Sequence, residues 1–204
     1  MTTAPRNAVI DRTTRETRIR GSLELDGAGR VRVDSGIGFL DHMLTALAFH
    51  AGWDLELECH GDLEVDDHHT AEDCSLAVGE ALDRAIGDRA GIARFGAAHA
   101  PLDEALARTV IDLSGRPWPE IHLGLNRETL GGLACENITH VFVSLAMAAR
   151  CALHVDVLRG ANDHHRAEAA FKATALALRQ ATAITDEGLR STKGSLGGAS
   201  GTGP

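Results

Sequence analysis

A chain of 204 residues with 44% hydrophobic side chains carries enough apolar material for one large domain or two small ones, which excludes wholesale disorder. With 20 Lys and Arg against 29 Asp and Glu, the formal charge of -9 excludes a general nucleic-acid or membrane-surface binder, because neutralising phosphates takes a basic face. Cys59, Cys74, Cys135 and Cys151 form no C-x-x-C pair, the N-terminus has no apolar run with a cleavage site, and no stretch approaches the roughly 18 apolar residues of a membrane span, so reduced thiols in the cytoplasm are expected.

In chain order, Arg12 to Leu25 alternates apolar and polar positions, and Asp26-Gly27 is a turn signal before Val31 and Val33, which predicts a hairpin. Phe39 to Ala51 has helical spacing (Leu40, Met43, Leu44, Leu47), with Gly52 as its stop. Leu55 and Leu57 alternate with Glu56 and Glu58 as a strand, and Thr70 to Ile86 is helical again, with Gly87 just past its end. The second half predicts a strand over Leu106 to Leu113, a turn at Ser114-Gly115, a helix from Asn137 to Ala149, a strand from Ala152 to Val157 and a helix from Ala167 to Ala183. The Gly-rich end, GSLGGASGTGP, has two apolar side chains and is expected to be a disordered tail over 194–204.

The second half repeats the first. Glu16 to Gly27 lies over Glu104 to Gly115 at an offset of 88, Asp41 to Ala48 over Thr139 to Ala146 at 98, and Asp67-His68-His69-x-x-Glu72 over Asp163-His164-His165-x-x-Glu168 at 96. Three matched segments in one order imply a duplication, with α+β halves over 8–95 and 96–190.

Eight candidate metal ligands fall in two matched sets: His42, His68, His69 and Glu72, then His140, His164, His165 and Glu168. One helical turn puts His68 with Glu72, and His164 with Glu168, on one face, where each pair can close on one ion. The adjacent His69 and His165 are rotated by about 100° and reach elsewhere. Two ions are therefore expected, each taking ligands from both repeats. Imidazole plus carboxylate without thiolate suits Mn, Fe, Co, Ni or Zn rather than Ca or Mg. Asp66-Asp67 and Asn162-Asp163 read as helix caps or as acceptors for the ligand imidazoles. His50, His60, His99, His122 and His154 have no repeat partner and read as ordinary polar or core residues.

From about Arg12 to Lys193 the chain resembles the imidazoleglycerol-phosphate dehydratase family. The resemblance rests on Thr14-Arg15-Glu16-Thr17, on the run from Gly36 to Leu44, on Asp66 to Asp73, and on the run from Asn162 to Lys172. It implies a tandem duplication of a ferredoxin-like half of the kind seen in ribosomal protein S5 domain 2, and a cytoplasmic enzyme, monofunctional, since the chain begins about a dozen residues before the first motif. It also implies trimers building a manganese-dependent 24-subunit shell with active sites between subunits. The eight ligands carry over as holders of two Mn2+ per active site. Glu16 carries over as an acid/base or substrate-contacting group, and Arg94, Arg116, Ser191, Lys193 and Lys172 as the phosphate-binding set.

The activity implied is a hydro-lyase step of histidine biosynthesis: loss of water from imidazoleglycerol phosphate to give imidazole acetol phosphate, by way of a metal-stabilised imidazolate and a diazafulvene. The hard step is loss of a C–H proton with no adjacent carbonyl to acidify it, and Glu16 or Asp103 is expected to move protons. Two rivals stand beside this reading. One is a binuclear phosphoester hydrolase; the other is a non-catalytic assembly protein clipped by metal.

Overall fold

The computed structural model describes residues 5–185 and 188; the expected tail, Ser191 and Lys193 lie outside them. The first half runs β1 (Asn7–Thr13), β2 (Thr17–Glu24), β3 (Val31–Asp34), α1 (Gly38–Ala51), β4 (Asp54–Gly61) and α2 (His68–Ile86). The second runs β5 (Phe95–Leu102), β6 (Ala105–Asp112), β7 (Trp118–His122), a short β8–β9 hairpin (Thr129–Leu130 and Leu133–Ala134), α3 (Cys135–Ala148), β10 (Ala152–Arg159) and α4 (Asp163–Ala181). The sheets have identical orders, β1-β2-β4-β3 and β5-β6-β10-β7. In each, the last-named edge strand is parallel to its neighbour and the other pairings are antiparallel. A parallel pair needs a crossover, and α1 and α3 supply it. This is the duplicated α+β architecture.

The strands bury alternate residues, so each sheet turns one face to helices and the other outward. The helices carry the core between the sheets. Leu40, Met43, Leu44 and Leu47 follow helical spacing on α1 and are essentially inaccessible; burying each contributes about 1.5–3 kcal/mol. The halves meet where α1 packs on α4 and α2 on α3, and Phe142 of α3 touches Phe171 of α4 with ring centroids 4.4 Å apart. No helix among the described residues is long and apolar enough to cross a membrane, and all four cysteines are unpaired and buried.

The hairpin expected between Arg12–Leu25 and Val31–Val33 is replaced by two other pairings. Thr14 turns the chain by accepting the backbone N–H of Glu16 and of Thr17, so Arg12 belongs to β1 and the hairpin is β1–β2. Asp54 draws the next connection past β4: its carboxylate accepts from the backbone N–H of Ala28 and Arg30 and from the Arg30 guanidinium. As a result β3 lies parallel to β4 and does not touch β2. The helices α2 and α4 also begin earlier than their periodicity suggests, so the histidine pairs lie within their first turns.

Candidate metal centre

The helix packing that joins the halves also brings the ligands together. His42 of α1 meets His164 and Glu168 of α4, and His140 of α3 meets His68 and Glu72 of α2; in each group the ligand atoms lie within 4.8 Å of one another. In the first group the Nε2 atoms of His42 and His164 are each 3.2 Å from Glu168 Oε2. In the second, His140 Nε2 is 3.1 Å and His68 Nε2 3.8 Å from the Glu72 carboxylate. Each group thus draws on both repeats, two ligands from one and one from the other.

The rings are held from behind. Asn137 Oδ1 accepts from His68 Nδ1 at 2.8 Å, while His164 meets the edge of the Phe39 ring at a centroid distance of 5.2 Å. With Nδ1 engaged by Asn137, the His68 ring turns Nε2 toward the Glu72 carboxylate, so that an imidazole nitrogen and a carboxylate oxygen converge on the place an ion would take. Two imidazoles and one carboxylate per group fit a divalent ion of the first transition series, and three protein ligands leave coordination positions for other donors.

His69 and His165 stand outside both groups, as their rotation on the helix requires. His69 Nδ1 donates to Asp62 at 3.0 Å and His165 Nδ1 to Glu104 at 2.7 Å. These hydrogen bonds raise the pKa of both imidazoles against the opposing effect of burial. Glu104 is correspondingly lowered to about 2, first by the His165 bond and then by the backbone N–H groups of Asn162 and Ala161. In each half a carboxylate also faces Nε2: Glu16 at 3.7 Å from His69 and Asp103 at 3.9 Å from His165. Glu16 and Asp103 thus stand in the same relation to an outward imidazole, one at each hairpin tip, although the repeat aligns Glu16 with Glu104.

The cationic residues are dispersed in the single chain. Lys172 Nζ is 2.7 Å from Glu168. Burial opposes ionisation of Glu168, yet the bonds from Lys172 and His42 prevail and lower its pKa. Arg94 pairs with Asp112 at 2.7 Å and lies over the Phe95 ring, and Arg116 is exposed in the turn after β6. Both arginines sit at the opposite end of β6 from Asp103 and His165, about 23 Å away at the rise of a strand.

The Asp and Asn residues before each histidine pair serve the backbone rather than the imidazole side chains. Asp66 and Asn162 accept from the backbone N–H of His68 and His164, Asp67 from Ala134, and Asp163 from Asn126 and Arg127. Asp66 and Asn162 thereby satisfy free N–H groups at the starts of α2 and α4, while Asp67 and Asp163 tie those starts to the segment before α3. Asp62, Glu104, Asn137 and Phe39 were not among the sequence candidates. Only Glu104 carried a signal, since it lies over Glu16 in the repeat.

Fold and site together define a class: a duplicated α+β protein whose halves are joined through two groups with the donor set of a divalent metal. The sequence profile of imidazoleglycerol-phosphate dehydratase matches residues 35–178, and the chain belongs to that family. It is 52% identical over 195 residues to the Salinibacter ruber imidazoleglycerol-phosphate dehydratase, covering 95% of this chain and 96% of that protein. It is 61% identical over 194 residues to the Phytophthora nicotianae protein of the same name, covering 94% of this chain but 42% of that longer protein. Among solved structures, the Staphylococcus aureus enzyme superposes with a TM-score of 0.79 at 36% identity, over 88% of this chain and 99% of that one. The Pyrococcus furiosus enzyme, in complex with (S)-C348, also gives 0.79, at 35% identity over 92% of this chain and 100% of that one.

Proposed function

We propose that the two cross-repeat groups are the manganese centres of an imidazoleglycerol-phosphate dehydratase, and that the centres are completed by other copies of the chain. The family is that of a hydro-lyase of histidine biosynthesis, removing water from imidazoleglycerol phosphate. The observation that carries the metal assignment is the pairing of a three-ligand group with an outward histidine in each half. A ring fixed through Nδ1, with Nε2 turned away from its own group, is presented to a neighbouring molecule. Trimers and a 24-subunit shell follow from the same reading, as does a cytoplasmic location.

Bound manganese would supply Lewis-acid charge to the nitrogens of the substrate imidazole. The chain's own residues do the rest. Asp62 and Glu104 keep the Nδ1 proton of His69 and His165 in place, which leaves Nε2 as the ligating atom. Glu16 moves the side-chain proton from the hairpin tip. Lys172 meets the phosphate from α4, and Arg94 and Arg116 join it where a second copy brings the far end of its sheet to the site; a planar guanidinium suits a phosphate dianion.

The test is turnover of imidazoleglycerol phosphate by metal-stripped protein, with and without added Mn2+, while light scattering records particle size. Ketone product with phosphate retained, together with a large particle, is the expected result. Release of inorganic phosphate would make the protein a hydrolase, and a large particle without product would leave only an assembly role for the metal.

A further inference from the structure

Asp73 is buried on α2, one residue beyond Glu72, and faces away from the metal group toward the β1–β2 hairpin. Its Oδ1 accepts from Arg12 Nε at 2.9 Å and Nη2 at 2.8 Å. Its Oδ2 accepts from the Thr17 hydroxyl at 2.5 Å and the Thr14 hydroxyl at 3.4 Å. The Thr14 hydroxyl in turn accepts the backbone N–H of Glu16 and of Thr17. The turn that carries Glu16 is thus tied at both shoulders to the helix that carries His68, His69 and Glu72.

The second half has the same strands and helix at this place without any of this network. Applying the repeat offsets, Arg12, Thr14, Thr17 and Asp73 correspond to Ala100, Leu102, Ala105 and Ala169, and the three alanines are buried. The fold therefore does not require the charges. A buried ion pair is in general no better for stability than the apolar packing that can replace it. What differs is the hairpin tip. In the second half, Glu104 is committed to His165 Nδ1 and to two backbone N–H groups, and Asp103 stands 75% exposed with a left-handed φ of 46°. In the first half, Asp62 takes over the Nδ1 contact, which frees Glu16 while the network fixes the turn beneath it.

We propose that Asp73, acting with Arg12, Thr14 and Thr17, is a positioning residue that holds Glu16 over the substrate side of His69, and that the second half has no equivalent. The inference rests on the assignment of Glu16 to proton transfer. Fixing a carboxylate before the substrate arrives acts on the chemical step rather than on binding, so its loss falls on kcat.

The experiment is a cycle on the full chain loaded with Mn2+. The pair Arg12→Ala with Asp73→Ala installs the second half's residues at the two charged positions and leaves no unpaired buried charge. It is expected to lower kcat about 10- to 100-fold, with KM, manganese content and particle size unchanged. In a Glu16→Gln background the same pair is expected to change kcat by less than about twofold, because it acts through Glu16. An equal loss in both backgrounds, or no loss of kcat, overturns the inference. Thr17→Val provides a second route that leaves the ion pair intact: a fall in kcat that Thr17→Ser does not share supports the clamp, and unchanged kcat counts against it. Full turnover by Glu16→Gln alone would remove the earlier assignment of Glu16, and the clamp with it, before Asp73 is touched.

Discussion

His68 of the first half is backed by the amide of Asn137 from the second, whereas His164 of the second is backed by the ring of Phe39 from the first, although Asn137 and Phe39 are the same repeat position. The outward histidines are likewise held by non-equivalent acids: Asp62, from the β4–α2 loop, and Glu104, from the β5–β6 turn. Gly79 of α2 corresponds to Ala175 of α4, so one interhelical contact is closer than the other. The ligands are kept in both copies and the core positions stay apolar, Leu47 with Leu145 but Leu40 with Ile138 and Leu44 with Phe142, while the residues around them have diverged. Duplication has preserved the geometry that needs two copies and released the surroundings to specialise.

The largest test of that equivalence removes one ligand from each group. His42→Ala and His140→Ala are each expected to reduce turnover by about 10³-fold or more, since a metal's charge is worth several kcal/mol, and to remove one bound manganese per chain by elemental analysis. Turnover surviving in one variant alone would show the two groups to be unequal. Next, Asp62→Ala and Glu104→Ala each take the acceptor from an outward imidazole. Both are expected to weaken manganese binding in titrations by about 10- to 100-fold, to similar extents despite their different origins. Unchanged affinity would separate the outward histidines from the metal.

Smaller effects probe the packing. A Cβ on Gly79 would lie 2.7 Å from Ala148 Cβ and 2.8 Å from the Leu145 carbonyl. Gly79→Ala is therefore expected to cost about 1–3 kcal/mol, read as a fall in Tm, although the equivalent position in α4 is already alanine. The smallest concerns Asp54, whose counterpart is Ala152. The Arg30 side chain first, then backbone N–H groups, lower its pKa from 3.8 to about 2. A folded-state pKa below the unfolded one stabilises above the unfolded value and loses its effect as pH falls through the folded value. The Tm difference between the parent and Asp54→Asn is thus expected to be full above pH 3.8 and to close as pH falls through about 2; a difference that persists at the lowest pH would assign it to something other than the carboxylate.

Much of this arrangement was legible in the residues because helices announce themselves by period. Leu40, Met43, Leu44 and Leu47 place α1, and the i, i+4 spacing of His68 with Glu72 gives two ligands of one group directly. The strand β5 was not legible: FGAAHAPL has no β-branched residue. It is a strand because α4 lies directly on it, so close that a Cβ on Gly96 would sit 2.0 Å from the Ala177 carbonyl. The pairing of β3 depended on Asp54, more than 20 residues downstream. Asp62 and Asn137 meet their histidines only through loop closure and the α2–α3 contact, neither of which has a local pattern.

The crossing of ligands between repeats constrains how such a chain can have arisen. A single half possesses an α1-type histidine and a His-Glu pair that do not face one another, so alone it can complete neither group. Two copies related by a twofold axis complete both at once, because every contact in an isologous interface occurs twice. The fused chain is in this sense a covalent homodimer, and fusion is what allowed Asp73 to appear on one side and Ala169 on the other. Symmetry that a true dimer must obey became, once written twice in one gene, a matter of choice.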